Sequence, residues 1–265
     1  MTWTDDASDS RSRLALLSQS PREWALFLDV DGTLLDIAER PDQVRVPPTL
    51  LSDLQRVSTS LDGALALVSG RGLAWIDDAF CPLRLPAAGQ QGSEIRFARD
   101  ARARIETSVD LDALRRRLEP LGEADGIEIE DKGLTIAVHY RGARDRARAK
   151  HAIERALSRL DEGAEAVSGR LVYEVKARSV NKGTAVARFL ETPAFVGRLP
   201  VYFGDDRTDE YAFREVLDRG GIAVQVGPSQ APPGCLWIES PAETRRWLAG
   251  LFARAPAIAN AGRAA

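Results

Sequence analysis

The run at 25–30, ALFLDV, constrains this chain most. It is short and apolar, it ends against the breaker Gly32, and it lacks the polar alternation of a strand with one wet face. A strand covered on both faces belongs to a parallel sheet, whose connections are helices. The sequence supplies them. After a loop holding Pro41, Pro47 and Pro48, residues Leu50, Leu54, Val57 and Leu61 recur at helical spacing, and ALALV at 64–68 is a second buried run. The pattern returns later: Ala185, Val186, Phe189 and Leu190 mark a helix and VYF at 201–203 a strand. Phe213, Val216 and Leu217 mark another helix, and IAVQV from Ile222 another strand. Both ends therefore predict parts of one parallel α/β sheet, a Rossmann-like core.

The middle has a different period. Leu111, Leu114, Leu118 and Leu121 predict a helix, IEIE and LTIAVHY alternate as half-wet strands, and Ala152, Ile153, Ala156, Leu157 and Leu160 predict a second helix before the alternating strand LVYEVK. This αββαβ block, residues 106–177, has the size of a small inserted α/β domain. The expected division is a core domain at 21–105 and 178–252, the insert at 106–177, and loose tails at 1–20 and 253–265.

Thirty-six Lys and Arg against 39 Asp and Glu leave a net charge of −3, so no overall basic field draws the chain to nucleic acid or an anionic membrane. Arginines cluster at Arg115 to Arg117 and at Arg141, Arg144, Arg146 and Arg148, but acidic neighbours offset them and aromatic stacking partners are few; they read as solvated helix faces. No apolar run has the length of a secretion signal or a membrane span. Cys81 and Cys235 are too few and too far apart for a disulfide framework or a zinc knuckle. The expectation is a cytoplasmic protein.

Four clusters can carry chemistry. Asp29, Asp31, Gly32 and Thr33 follow the first strand, where open α/β sheets place ligands; two carboxylates so close repel unless a cation or a shared proton intervenes, although Asp and Gly also make ordinary turns. Ser69, Gly70 and Arg71 follow the second strand and open a helix, a place for a phosphate oxygen or for a plain helix cap. Asn181, Lys182, Gly183 and Thr184 open another helix, with Lys182 a point charge able to hold a phosphoryl group. Gly204, Asp205, Asp206, Thr208, Asp209 and Glu210 pack four acids after VYF. They suit a helix dipole or a hard cation. A carboxylate, a divalent cation such as Mg²⁺, a hydroxyl and a lysine around one phosphate describe phosphoryl transfer to an aspartate.

The order DVDGT, VSGR, NKGT, GDDRTDE resembles the four motifs of the haloacid dehalogenase superfamily of phosphohydrolases. The longer segments LFLDVDGTLLDIAERPDQVRVP, EDKGLTIAVHYR and YEVKARSVNKGTAV are similar to its trehalose-6-phosphate phosphatase family, over 25–248. The resemblance implies Asp29 as nucleophile and Mg²⁺ ligand, and Asp31 as acid and base and as a ligand through its carbonyl. It implies Asp205 as the third ligand, with Asp206 and Asp209 beside it. Ser69 and Lys182 would bind phosphate, with Gly32, Thr33, Gly70 and Arg71 around them. The insert becomes a cap over the sugar, with Gln91, Glu94, Glu130, Lys132, Arg141 and Glu174 in sugar recognition.

One departure stands out: where that family usually reads His-Gly-Ala-Glu, this chain has Gln91, Gly92, Ser93 and Glu94, an amide in place of a titrating ring. His139 and His151 receive no catalytic assignment. The implied substrate is trehalose 6-phosphate, with functional coupling to a trehalose-6-phosphate synthase. Alternatives are sucrose phosphate, mannosyl-3-phosphoglycerate, a hexose phosphate, or a non-catalytic sugar-phosphate sensor.

Overall fold

The structure is a computed structural model that describes residues 21–37, 44–106, 111–122, 126–160, 162–169, 171–228 and 231–252. Pro41 and the tails expected at 1–20 and 253–265 lie outside the described residues.

Every residue of β1 (Trp24–Leu28) is buried. A strand with no wet side needs neighbours on both edges and cover on both faces. It pairs in parallel with β2 (Leu65–Val68) on one edge and with β10 (Leu199–Gly204) on the other. Outward from β2 lie β3 (Ala87–Gly89), β4 (Glu94–Arg96) and β5 (Arg104–Ile105); outward from β10 lie β11 (Ile222–Val226) and β12 (Leu236–Ile238). The chain thus leaves β1 in one direction before the insert and in the other after it, which makes the β1–β10 boundary a switch point with a crevice at the strand ends. From β12 to β3 the pairing is parallel; β4 and β5 add an antiparallel edge that periodicity does not reveal in segments so short.

Helices cover this sheet. Those that matter for the site are α1 (Pro48–Ser60), α2 (Leu73–Ala79), α5 (Lys182–Leu190), α6 (Glu210–Asp218) and α7 (Pro241–Gly250). Leu50, Leu54 and Val57 of α1, and Val186 and Phe189 of α5, are buried in one apolar cluster with β1 and β2, as their spacing predicts.

The block between β5 and α5 forms a second sheet, β6 (Glu128–Asp131), β7 (Ile136–His139), β9 (Val172–Ala177) and β8 (Ala164–Gly169), in that order and antiparallel throughout. Its order is αββαββ, one strand more than predicted. β8 reads AEAVSG, whose alanines and single valine give a weak strand signal. One face packs on α3 (Asp112–Gly122) and α4 (Arg146–Leu157) through Leu114, Leu118, Ile136, Val138, Ile153 and Val175. In α4 the predicted Ile153 and Leu157 are buried together with Ala149, and the predicted Ala156 and, just past the helix, Leu160 pack partly buried against the same cluster; Ala152 lies at its margin. Strand alternation turns Glu130, Ala137, His139 and Glu174 to the other face. There Glu130 faces Ala137, and Ala137 faces Glu174. Arg144, Arg146 and Arg148 are exposed, while Arg115 forks Asp131 and pairs with Asp112. No helix among the described residues is long and apolar enough to cross a membrane.

Candidate active site

Asp29 leaves β1 at the switch point, buried, and its Oδ1 accepts from Lys182 Nζ at 2.7 Å. Lys182 is set by its helix: the Asn181 side chain accepts from Thr184 N–H and the Thr184 hydroxyl accepts from Asn181 N–H, a reciprocal cap that fixes the first turn of α5. The same ammonium donates to Asp209 Oδ1 at 2.7 Å. Burial works to lower the Lys182 ammonium, but the carboxylates of Asp209 and Asp29 outweigh it and hold it well above its ordinary value. It is a fixed positive charge.

Asp209 is saturated. Its Oδ1 accepts from Lys182 and from Tyr202 Oη at 2.6 Å, and its Oδ2 from the N–H groups of Asp205 and Asp206, each at 3.1 Å. Asp206 accepts from Thr208 N–H and hydroxyl at 2.8 and 2.6 Å. The Asp205 carboxylate differs, because no donor among the described residues reaches it; its backbone is held at both ends, the N–H by Asp209 and the carbonyl by Gln225 Nε2 at 2.7 Å. It lies over Gly32, which adopts φ +84° and where a Cβ would fall 2.0 Å from Asp205 Oδ2. A residue without a side chain is needed there on both counts.

Oxygens of Asp29, Asp205 and Asp209 come within 4.8 Å of one another. Burial, followed by the charges of Asp209 and Asp206, pushes the Asp205 carboxyl up to about 8. Burial also raises Asp29 well above the carboxylate range against the pull of Lys182. One ammonium does not balance this many carboxylates. An oxygen-only donor set, an undonated Asp205 carboxylate and the cradle kept open at Gly32 fit a hard divalent cation. Asp29 and Asp205 have the carboxylate capacity to hold it, whereas Asp209 has spent both oxygens.

A cavity of about 250 Å³ opens from these acids to the polar face of the second sheet. Asp29, Asp31, Gly70, Arg71, Lys182, Asp205 and Asp206 line one side and Glu130, Lys132, His139 and Glu174 the other, with Gln91 between them. Arg71, expected at the phosphate, lines this cavity and forks Asp31, Nε to Oδ2 at 2.8 Å and Nη2 to Oδ1 at 2.9 Å, and lies 4.4 Å over the Trp75 ring. Lys132 Nζ donates to Glu174 Oε1 at 3.1 Å, and Gln91 Nε2 to Glu174 Oε2 at 2.7 Å. Gly32, Thr33 and Ser69 are buried and stay out of the lining itself; the Ser69 hydroxyl accepts from Arg71 N–H at 3.1 Å.

Two residues expected at the sugar lie elsewhere. Glu94 is held by β4 and accepts from Leu73 N–H at 2.8 Å, closing the open end of α2. Arg141 sits past the end of β7, exposed and away from the cavity. Sequence reasoning missed Tyr202 and His139. His139 Nε2 donates to Glu130 Oε2 at 3.0 Å, and this bond is the main cause of the lowered Glu130 carboxyl.

The sequence model of the trehalose-phosphatase family matches residues 27–233. The chain is 43% identical over 217 residues to a probable trehalose-phosphate phosphatase of Sinorhizobium fredii, covering 81% of this chain and 82% of that protein. It is 36% identical over 219 residues to the trehalose-6-phosphate phosphatase of Escherichia coli, covering 80% and 81%. Among solved structures, the C-terminal domain of a Candida albicans trehalose-6-phosphate phosphatase is similar with a TM-score of 0.79 over 95% of this chain and 99% of that one; at 21% identity this is a likeness of fold. On the family match and these identities, the chain belongs to the trehalose-phosphatase family and is a phosphoric monoester hydrolase.

Proposed function

We propose that the chain hydrolyses trehalose 6-phosphate to trehalose and inorganic phosphate through an aspartyl phosphate on Asp29, as the last step of trehalose synthesis. The observation that carries this is the opposition of two chemistries across one cavity: Asp29, Lys182 and Asp205 on one wall, and the sugar-grade donors and acceptors Glu130, Lys132 and Glu174 on the other. Residues 106–177 act as a cap domain on a core of 21–105 and 178–252. The substrate is a small molecule.

Asp29, Asp205 and the Asp31 carbonyl are the groups that would hold Mg²⁺, which when bound supplies charge neutralisation of the phosphate and of the acids around it. Asp29 attacks phosphorus in line, and Lys182 and the N–H groups that follow β2 hold the equatorial oxygens. Asp31 gives a proton to the departing C6 oxygen, an alkoxide too basic to leave unaided. With Arg71 turned from Asp31 to the phosphate, Asp31 then takes a proton from the water that attacks the aspartyl phosphate. Each phosphoryl transfer passes one charge between groups already in place. Lys132 and Glu174 orient the sugar so that its phosphate meets Asp29.

The test is phosphate release with and without Mg²⁺ from trehalose 6-phosphate, sucrose 6-phosphate, glucose 6-phosphate and mannosyl-3-phosphoglycerate. The reading expects strong Mg²⁺-dependent preference for the first, and no turnover by Asp29→Asn with an unchanged circular dichroism spectrum. Preference for another ester, or full turnover by Asp29→Asn, would overturn it.

A further inference from the structure

The turn after β3 contains two consecutive left-handed residues that are not glycine, Gln90 at φ 48° and Gln91 at φ 61°. Side chains disfavour this conformation, so such a pair persists only where its surroundings hold it. Gln90 N–H donates to the Arg71 carbonyl at 2.9 Å, and Gln91 N–H to the Ser69 carbonyl at 3.0 Å. The Gln90 amide donates to Glu94 at 3.2 Å and accepts from Leu134 N–H at 3.1 Å.

What this strained turn achieves is the aim of Gln91. The side chain crosses Gly70, where a Cβ would lie 2.8 Å from Gln91 Nε2, and ends on Glu174. The other Glu174 oxygen accepts from Lys132 and from the Thr135 hydroxyl at 3.4 Å, and Lys132 reaches back to the Gly70 carbonyl at 3.3 Å. Three contacts, Gln91 to Glu174, Leu134 to Gln90 and Lys132 to Gly70, therefore tie loops of the large sheet to the small one. Glu174 can only accept, so Nε2 must face it. That leaves Gln91 Oε1 buried with no donor. An unpaired buried acceptor costs free energy, so the bond of Nε2 to Glu174 and the backbone bonds of the turn must hold the side chain against that cost.

We propose that Gln91 is a positioning residue that acts on the substrate through Glu174, fastening that carboxylate and the small sheet over Asp29, and that it makes no sugar contact of its own. This rests on the sugar-phosphate reading of the cavity.

The experiment is a double-mutant cycle of Gln91→Ala and Glu174→Ala, assayed on trehalose 6-phosphate and on p-nitrophenyl phosphate. Alongside it, hydrogen exchange is followed at residues 126–139 of the full-length protein. Losing a bond to a charged group predicts that Gln91→Ala lowers kcat/KM for the sugar phosphate by about 10- to 100-fold, at least tenfold more than for the small ester. In the Glu174→Ala background the same change has little further effect, and exchange at 126–139 quickens in Gln91→Ala. Gln91→Glu, which sets two carboxylates together, is worse than Gln91→Ala. An undiminished loss in the Glu174→Ala background, equal losses on both esters, or unchanged exchange would each overturn the proposal. If the unmutated protein leaves trehalose 6-phosphate untouched, the substrate reading fails, and the exchange measurement still decides whether Gln91 fastens the small sheet.

Discussion

Asp209 meets no substrate in the proposed cycle, yet four donors converge on it. Its work is to fix Lys182 and to turn the backbone that presents Asp205. Asp209→Asn sets an amide N–H₂ against donors, and the expected result is a loss of at least about 100-fold in kcat with a raised Mg²⁺ requirement; near-normal turnover at low Mg²⁺ would refute this role. Tyr202→Phe removes one of the four donors and should lower stability by about 1–3 kcal/mol in denaturant titration. Gly32→Ala drives a methyl group into Asp205, and metal affinity measured by calorimetry should fall about 10- to 100-fold. The acids and Lys182 were legible because they stand in clusters with no packing use. Tyr202 was not, since VYF reads as core whether or not the hydroxyl is used. The bond of His139 to Glu130 depends on cross-strand register, which no local pattern encodes. Glu94 was drawn away by a backbone N–H in need of an acceptor.

At the scale of elements, the reciprocal cap of α5 does two jobs: it starts the helix and it aims Lys182. Asn181→Ala should cost about 1 kcal/mol in thermal unfolding and lower kcat more than it raises KM; a stability loss with unchanged kcat would separate the two jobs. The strands buried on both faces and the helices with apolar spacing were readable because burial imposes those patterns. β8 was not readable, because its pairing with β9 is a tertiary event on a weakly patterned strand. β12 and α7 passed unread, although Ser240, Pro241 and Glu243 make an ordinary helix start, with the Ser240 side chain accepting from Glu243 N–H.

For the whole molecule, the acid cluster links stability to pH and metal. With Asp205 raised to about 8 and Asp29 raised as well, the folded metal-free protein binds more protons than the unfolded chain between about pH 4 and the raised values. Its stability therefore falls as pH rises through that window. A cation that binds only the folded form opposes the fall. Chelated protein should melt lower at pH 8 than at pH 5.5, and excess Mg²⁺ should raise Tm more at pH 8; equal shifts at both would refute the linkage. The placement of β1 has a different consequence, in time. Its neighbour β2 follows soon in the chain, but its other neighbour, β10, begins at Leu199, opposite Trp24. While the ribosome is making everything between, the central strand offers a bare, apolar edge of the kind that recruits other chains. The smaller sheet, whose partners are all nearby in sequence, is the part of the nascent polypeptide able to fold during that wait.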